Sequence, residues 1–292
     1  MAIEHLRTWK VGRIEVTRIV EVWKWEDDIW MALHEARPEI VATQPWLVPD
    51  YCTPEGRMFL NFQAFVLKIG SRRIMIDTCI GADREREFPV FTHMRTTFLE
   101  DLASLGIQPT DIDTVLCTHL HFDHVGWNTH LVDGKWVPTF PNARYLFSRK
   151  EYDHWLMLRD TGGYHGINHL ADAVDPVVEA GLVDFISHDH RICDEIRLLP
   201  TPGHTPDHVS VHLSSAGQEA VITGDMMHHP IQVALPEHPA TYDMDRPRGA
   251  ATRSEFVKRF RGTPTLIIGS HFAEPGAGYI VPDGGGWKLQ KP

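Results

Sequence analysis

The sequence predicts an α+β fold in which two sheets carry helices on their outer sides. Three observations predict it: short runs rich in Val, Ile and Leu recur along the chain, several of these runs alternate or stay apolar over strand length, and helix-length segments fall between groups of them. The chain has 292 residues, 42% of them apolar and 23% charged. That is enough apolar material for one large core, so a single domain over 1–292 is expected.

The elements follow in order. Residues 11–24 partly alternate and read as a strand. Residues 25–61 are irregular, with Trp25, Trp30 and Trp46 among Pro38, Pro45, Pro49 and Pro54. A structureless stretch of this length inside a domain is often functional, so it is expected to be a lid or a dimerisation segment. Residues 63–69 and 73–78 read as two strands joined at Gly70-Ser71, a hairpin signal. A helix is expected over 92–105, ending near Gly106. The apolar run 113–118 reads as a buried strand, 144–148 as another, and 149–158 and 167–180 as helices. Further strands are expected at 182–186, 196–200, 208–214 and 219–223, a helix at 248–261 and a buried strand at 265–269. Asp283-Gly284-Gly285-Gly286 marks a turn in a tail too short for another domain.

The bulk numbers exclude some functions. The formal charge is −11 and the pI near 5.9, and an acidic surface repels phosphate backbones, which argues against a nucleic-acid partner. No run approaches the roughly 20 apolar residues of a membrane span, and the opening MAIEHLRTWKVG lacks the apolar core of a secretory signal. The four cysteines Cys52, Cys79, Cys117 and Cys193 form no CxxC pair, which fits reduced thiols in a cytoplasmic protein.

Histidine stands out, with 19 residues. The segment Thr118-His119-Leu120-His121-Phe122-Asp123-His124 follows a predicted buried strand and puts three imidazoles and a carboxylate within six residues. Such groups are costly to place beside a core without a function, and imidazole nitrogen with carboxylate oxygen suits a divalent metal such as zinc. Alternation sets His119 and His121 on one side of an extended segment. A turn after them can aim Asp123 and His124 at a neighbouring position, so that one metal takes the first pair and a second metal the other. Further donors lie at later strand ends: His204 in Thr201-Pro202-Gly203-His204-Thr205-Pro206, Asp225 in Thr223-Gly224-Asp225, whose two oxygens can bridge two cations, and His271 in Gly269-Ser270-His271. His188 and His190 read as a polar loop despite their spacing. His130, His154, His165 and His169 read as surface or supporting residues, and His208 as structural.

The order HLHFDH, TPGHT, TGD, GSH resembles the metallo-β-lactamase superfamily over roughly residues 60–272, and its lactonase-like, ester-cleaving members in particular. The resemblance implies an αββα sandwich with a dinuclear site at one edge of the sheets. It implies His119, His121 and His204 on one metal, Asp123, His124 and His271 on the other, and Asp225 between them. The Asp that ends a strand in IMIDTC, Asp77, would support the metal loops without binding. It implies a metal-dependent hydrolase acting on a small, neutral to hydrophobic ester or lactone with two divalent ions, zinc first and manganese, iron or cobalt as alternatives. An iron dioxygenase-like oxidoreductase and a phosphotriester hydrolase are the competing readings. Asp123 and Asp225 are the candidate proton acceptors. Lactonases of the family often place Tyr three residues after the bridging Asp; here that residue is His228, so His228 or His229 is the candidate to polarise the substrate carbonyl. Trp23, Trp25, Phe88, Phe91 and Trp127, with His229, are the candidate pocket wall, and Trp30 and Trp46 are weighed beside them. The partners expected are a small-molecule substrate and a second copy in a homodimer.

Overall fold

A computed structural model of the protein describes residues 5–162 and 169–292; His165 and the first two residues of the helix expected at 167–180 lie outside them. The chain forms two compact units, Met1–Val22 with Phe62–Ser187, and Trp23–Asn61 with His188–Pro292.

The first unit is built on one seven-stranded sheet. Its strands are β1 (Arg7–Val11), β2 (Ile14–Asp28), β3 (Arg57–Ile69), β4 (Arg72–Ile76), β5 (Thr114–Leu116), β8 (Arg144–Ser148) and β9 (Val183–Ile186), in that spatial order. A separate hairpin, β6 (Thr129–Val132) with β7 (Lys135–Pro138), lies between β5 and β8 in the chain. Strands β4, β5, β8 and β9 run parallel to one another, while β3 is antiparallel to β4. The inner parallel strand β5 is buried along its length and reads as a short apolar run, whereas β9 at the sheet edge is half-exposed. The Gly70-Ser71 turn closes the β3–β4 hairpin with Ile69 opposite Arg72.

The helices of this unit are α1 (Phe98–Ser104), α2 (Phe122–Val125), α3 (Arg149–Thr161), α4 (His169–Ala173) and α5 (Asp175–Glu179). Helix α1 is shorter than the expected 92–105; His93, at φ +52°, keeps the first of those positions out of a right-handed helix. The helix expected to 180 is divided at Val174, two residues before Pro176, whose ring removes a backbone donor. Helix α3 starts where expected: Ser148 caps it by accepting the Glu151 N–H. Ile19, Val66, Met75, Phe98, Val115, Trp127, Tyr145, Phe147 and Trp155 are among the buried core residues.

The second unit is built on a second seven-stranded sheet, with strands in chain order from β10 (Arg191–Cys193) through β11 (Ile196–Pro200), β12 (Val209–Ser215), β13 (Gln218–Ile222), β14 (Leu266–Ile268) and β15 (Ala277–Asp283) to β16 (Gly286–Gln290). All neighbours are antiparallel except β13 and β14. The expected turn at 283–286 is the corner of the β15–β16 hairpin. The helices are α6 (Ile231–Ala234) and α7 (Arg246–Phe260), the latter capped by Asp245.

The stretch expected to be irregular is narrower than 25–61. Strand β2 runs on to Asp28 and β3 begins at Arg57, leaving three short 3-10 turns between. Its apolar side chains Ile29, Leu33, Val41, Leu47, Tyr51 and Cys52 pack with Met58, Leu60, Ile231 and Ala273 into a buried cluster. Among the described residues no helix is long and apolar enough to cross a membrane.

Candidate metal centre

In the first unit the candidate donors leave the C-terminal ends of two adjacent parallel strands. Register pairs Ile76 of β4 with Leu116 of β5, so the residues just beyond, Asp77 and Thr118, come side by side. The Asp77 carboxylate is buried and accepts three hydrogen bonds, from Thr118 N (2.7 Å), Thr118 Oγ1 (2.9 Å) and His124 Nδ1 (2.9 Å). Thr118 Oγ1 gives its proton to Asp77, so at 3.1 Å it accepts the Nδ1–H of His119. One carboxylate thereby sets two tautomers: His119 and His124 both carry hydrogen on Nδ1 and keep an electron pair on Nε2. His119 Nε2 lies 2.9 Å from His121 Nδ1, and His124 Nε2 lies 3.6 Å from Asp123 Oδ2.

The peptide between His119 and His121 is gripped from the helices. Leu120 N donates to Glu151 Oε1 (3.3 Å), which also accepts from Trp155 Nε1 (2.9 Å), while His169 Nε2 donates to Leu120 O (2.7 Å). Burial holds the His169 pKa down, at about 4, so its ring is neutral. The Trp155 ring also stands edge-on to His121, 5.3 Å between centroids.

The second unit repeats the device. Parallel strands β13 and β14 pair Ile222 with Ile268. Asp225 and His271 follow those ends, and His204 follows β11, which runs in the same direction. The Asp225 carboxylate, 4% exposed, faces three imidazoles: His271 Nε2 at 3.1 Å from Oδ1, and His228 Nε2 at 3.3 Å and His204 Nε2 at 3.4 Å from Oδ2. Its backbone N–H donates to His208 Nε2 (2.9 Å), whose Nδ1–H begins a chain through Thr201 Oγ1 and Ser210 Oγ to Thr223 O. His208 therefore holds the turn that carries Asp225. His271 Nδ1 donates to Asn61 O at 2.8 Å, leaving Nε2 toward Asp225.

These hydrogen bonds test whether the donors suit a metal. Three buried imidazoles spend Nδ1–H on oxygen and turn Nε2 toward a carboxylate or another imidazole, the arrangement in which outer partners orient metal-ligating histidines. The donors are imidazole nitrogen and carboxylate oxygen, a set that fits zinc and other first-row divalent ions. Each unit thus carries imidazole and carboxylate groups of the kind that could hold metal.

The candidate pocket residues divide. Trp127 is in the core of the first unit, stacked on Phe98 and donating its indole N–H to Glu21 (2.6 Å). Glu21 also accepts from Ile80 N and Thr96 Oγ1, and burial nonetheless pushes its pKa up. His229 is fully buried: Nε2 donates to Tyr51 O (2.9 Å) and Nδ1 accepts from Ile231 N (3.2 Å), so both nitrogens serve packing. Trp23 and Trp25 are half-buried, and Trp25 donates to Asp27. Phe88 and Phe91 do join a surface-reaching cluster, with Phe62 and Phe122, at centroid separations of 5.1–6.2 Å. Sequence reasoning missed Phe122 although it stands between His121 and Asp123. The signal was its place inside the motif.

The chain belongs to the metallo-β-lactamase superfamily, whose family model matches residues 63–289, and it has that fold. Its relatives include an N-acyl homoserine lactonase of a Bacillus species, 28% identical over 110 residues (38% of this chain, 36% of the relative). One from Bacillus thuringiensis is 26% identical over 121 residues, 41% of this chain and 40% of the relative. The chain therefore matches about two fifths of the length of these curated relatives. Among solved structures, the hydrolase AbOPH of the beta lactamase superfamily superposes with a TM-score of 0.80 at 24% identity, covering 100% of this chain and 99% of that one. AidC, a dizinc quorum-quenching lactonase, superposes with a TM-score of 0.77 at 19% identity, covering 98% and 97%. At these identities the structural likeness is one of fold.

Proposed function

We propose that the protein is a metal-dependent hydrolase that cleaves a small, neutral to hydrophobic ester, lactone or related bond at a dinuclear centre. The observation that carries the proposal is the buried Asp225 carboxylate facing His204, His228 and His271. A carboxylate with imidazole Nε2 groups on both its oxygens is the natural bridge of a two-metal site. His119, His121 and His204 would hold one ion, Asp123, His124 and His271 the other, and Asp225 both. Bound there, two divalent cations, zinc in the first instance, would supply Lewis acidity and a water acidic enough to lose its proton near neutral pH.

The chain's own groups take the remaining roles. Asp123 has 12% of its side chain exposed, against 4% for Asp225, and is the better placed to receive a proton from the attacking water and return it to the leaving oxygen. His228 is also 12% exposed, and its ring lies parallel to His271 at 5.7 Å. It stands where lactonases of the family often place Tyr, and a ring N–H there can donate to the developing negative charge on the substrate oxygen. His229 is not offered for this role, since both its nitrogens are occupied. The Phe62, Phe88, Phe91 and Phe122 cluster favours a substrate with an apolar portion, in keeping with relatives that are acyl homoserine lactonases. A cytoplasmic setting is supported by four free thiols.

The test is turnover of lactones of graded acyl length, aryl esters and phosphotriesters, with metal counted. We expect lactone or ester cleavage that is lost on chelation and restored by zinc. Full activity in metal-free protein contradicts the proposal, and turnover of phosphotriesters alone replaces its substrate class.

A further inference from the structure

Helix α7 brings a buried ion pair to the back of one candidate ligand. His204 turns Nε2 toward Asp225, and its other ring nitrogen, Nδ1, faces Asp243 Oδ1 at 3.6 Å. Asp243 Oδ2 lies 2.8 Å from Arg253 Nη1, and both side chains are wholly buried. Arg253 also donates to Met226 O (3.4 Å) and His238 O (3.2 Å), which ties the segment bearing Asp243 to the turn bearing Asp225. The backbone just after Asp243 is fastened to the His204 turn: Met244 N donates to His204 O (3.1 Å) and Asp245 N to Gly203 O (2.9 Å).

Two glycines make this approach possible. A Cβ on Gly249 would lie 2.1 Å from Asp243 Oδ2, and one on Gly203 would lie 2.3 Å from Gly249 N. A buried ion pair gains little stability over a well-packed apolar pair of the same size, so stability alone does not account for it. The orientation does: Asp243 stands behind the nitrogen that faces away from the ligand side, as Asp77 does behind His124, at 3.6 Å where the Asp77 hydrogen bond is 2.9 Å.

We propose that Asp243 is a positioning residue for His204. It holds the imidazole with hydrogen on Nδ1, so that Nε2 keeps the electron pair that binds metal, and its charge makes that nitrogen a better donor. Arg253 pairs with the Asp243 carboxylate and fixes its place behind the ring. The inference rests on the reading of His204 as a ligand.

The experiment uses the full chain and zinc alone as probe. The double variant D243N/R253Q removes both charges together and so leaves neither buried alone. Zinc affinity is read by competition with a chromophoric chelator, and the fold by thermal unfolding of the metal-stripped proteins. We expect one of two zinc ions to bind roughly 10–100-fold more weakly, with the unfolding temperature of the metal-free form close to wild type, and D243E to recover part of the affinity. Two ions bound as tightly as in wild type would overturn the proposal while leaving the ligand reading intact. A wild-type chain that binds no zinc would overturn both. Should the double variant not fold, imidazole nitrogen NMR of the zinc-loaded wild type decides: hydrogen on Nδ1 of His204 is expected, and hydrogen on Nε2 overturns the inference.

Discussion

Asp77 offers a sharp separation of metal affinity from stability. Replacing it with Ala strands three buried donors, Thr118 N, Thr118 Oγ1 and His124 Nδ1. Each hydrogen bond to a charged acceptor contributes about 1.5–3 kcal/mol. These are not additive, and each buried donor left without a partner costs about 1–3 kcal/mol. Asp77 also sits at φ +56°, where Ala adds backbone strain of roughly 1–2 kcal/mol. Asn tolerates that φ, and its Oδ1 still accepts from Thr118 N. Its amide NH2, however, faces His124 Nδ1–H, and two donors cannot share a hydrogen bond. His124 must shift its proton to Nε2, and Thr118, now receiving a proton from Asn, turns its own toward His119 Nδ1. Both imidazoles then present N–H where metal binding needs an electron pair. Asp77→Asn should therefore lower zinc affinity by about 10–100-fold with a stability loss of only about 1–2 kcal/mol, whereas Asp77→Ala lowers both severely. The assay is urea unfolding of the metal-stripped forms beside chelator competition for zinc. Wild-type zinc affinity in Asp77→Asn, or stability falling as far as in Asp77→Ala, would refute the tautomer argument.

The remaining predictions are simpler. His228→Phe keeps the ring stack on His271 but removes the N–H, and should lower kcat about 10²–10³-fold with zinc content unchanged; unchanged kcat in a steady-state assay removes His228 from the reaction. His229 has a folded pKa lowered by burial to about 4, below its ordinary 6.5, so the unfolded chain takes up its proton first as pH falls. Its contribution to stability is complete above 6.5 and is lost between 6.5 and 4, by roughly 3 kcal/mol; His229→Leu should flatten that part of the stability–pH curve, and an unaltered slope in urea titrations contradicts the assignment. Gly126→Ala would set a Cβ 2.0 Å from the backbone of Ile80, an overlap that side-chain rotation cannot relieve, and should destabilise by about 3 kcal/mol or more; a thermal midpoint near wild type would show that the Gly126–Ile80 approach is not tight.

Much of the fold was legible because the parallel strands announce themselves. The runs at 113–118 and 265–269 have wholly apolar centres, Val115-Leu116-Cys117 and Leu266-Ile267-Ile268, since both faces are covered there, and the short motifs begin where those runs stop. Legibility failed where a local signal was overridden. His93 in a left-handed conformation shortened a helix whose apolar spacing looked continuous from 92. The C-terminal hairpin was seen only as a turn, because its strands mix Gly, Pro and charged residues. The pocket was the least legible part. Trp127 follows the motif closely, yet the buried Glu21 carboxylate claims its indole N–H from more than 100 residues away. His229 adjoins His228 in sequence, yet its ring is buried against Tyr51 O. Asp243 belongs to no motif, and its relation to His204 depends on the close approach of α7 that Gly249 allows.

As proposed, His119, His121, Asp123, His124, His204, Asp225 and His271 would together hold two metal ions. Anomalous diffraction at the zinc edge from zinc-loaded crystals tests it most directly. The account predicts two peaks, with Asp225 in contact with both and the other six residues divided three to each. Zinc bound elsewhere, or no peak among these side chains, would contradict it.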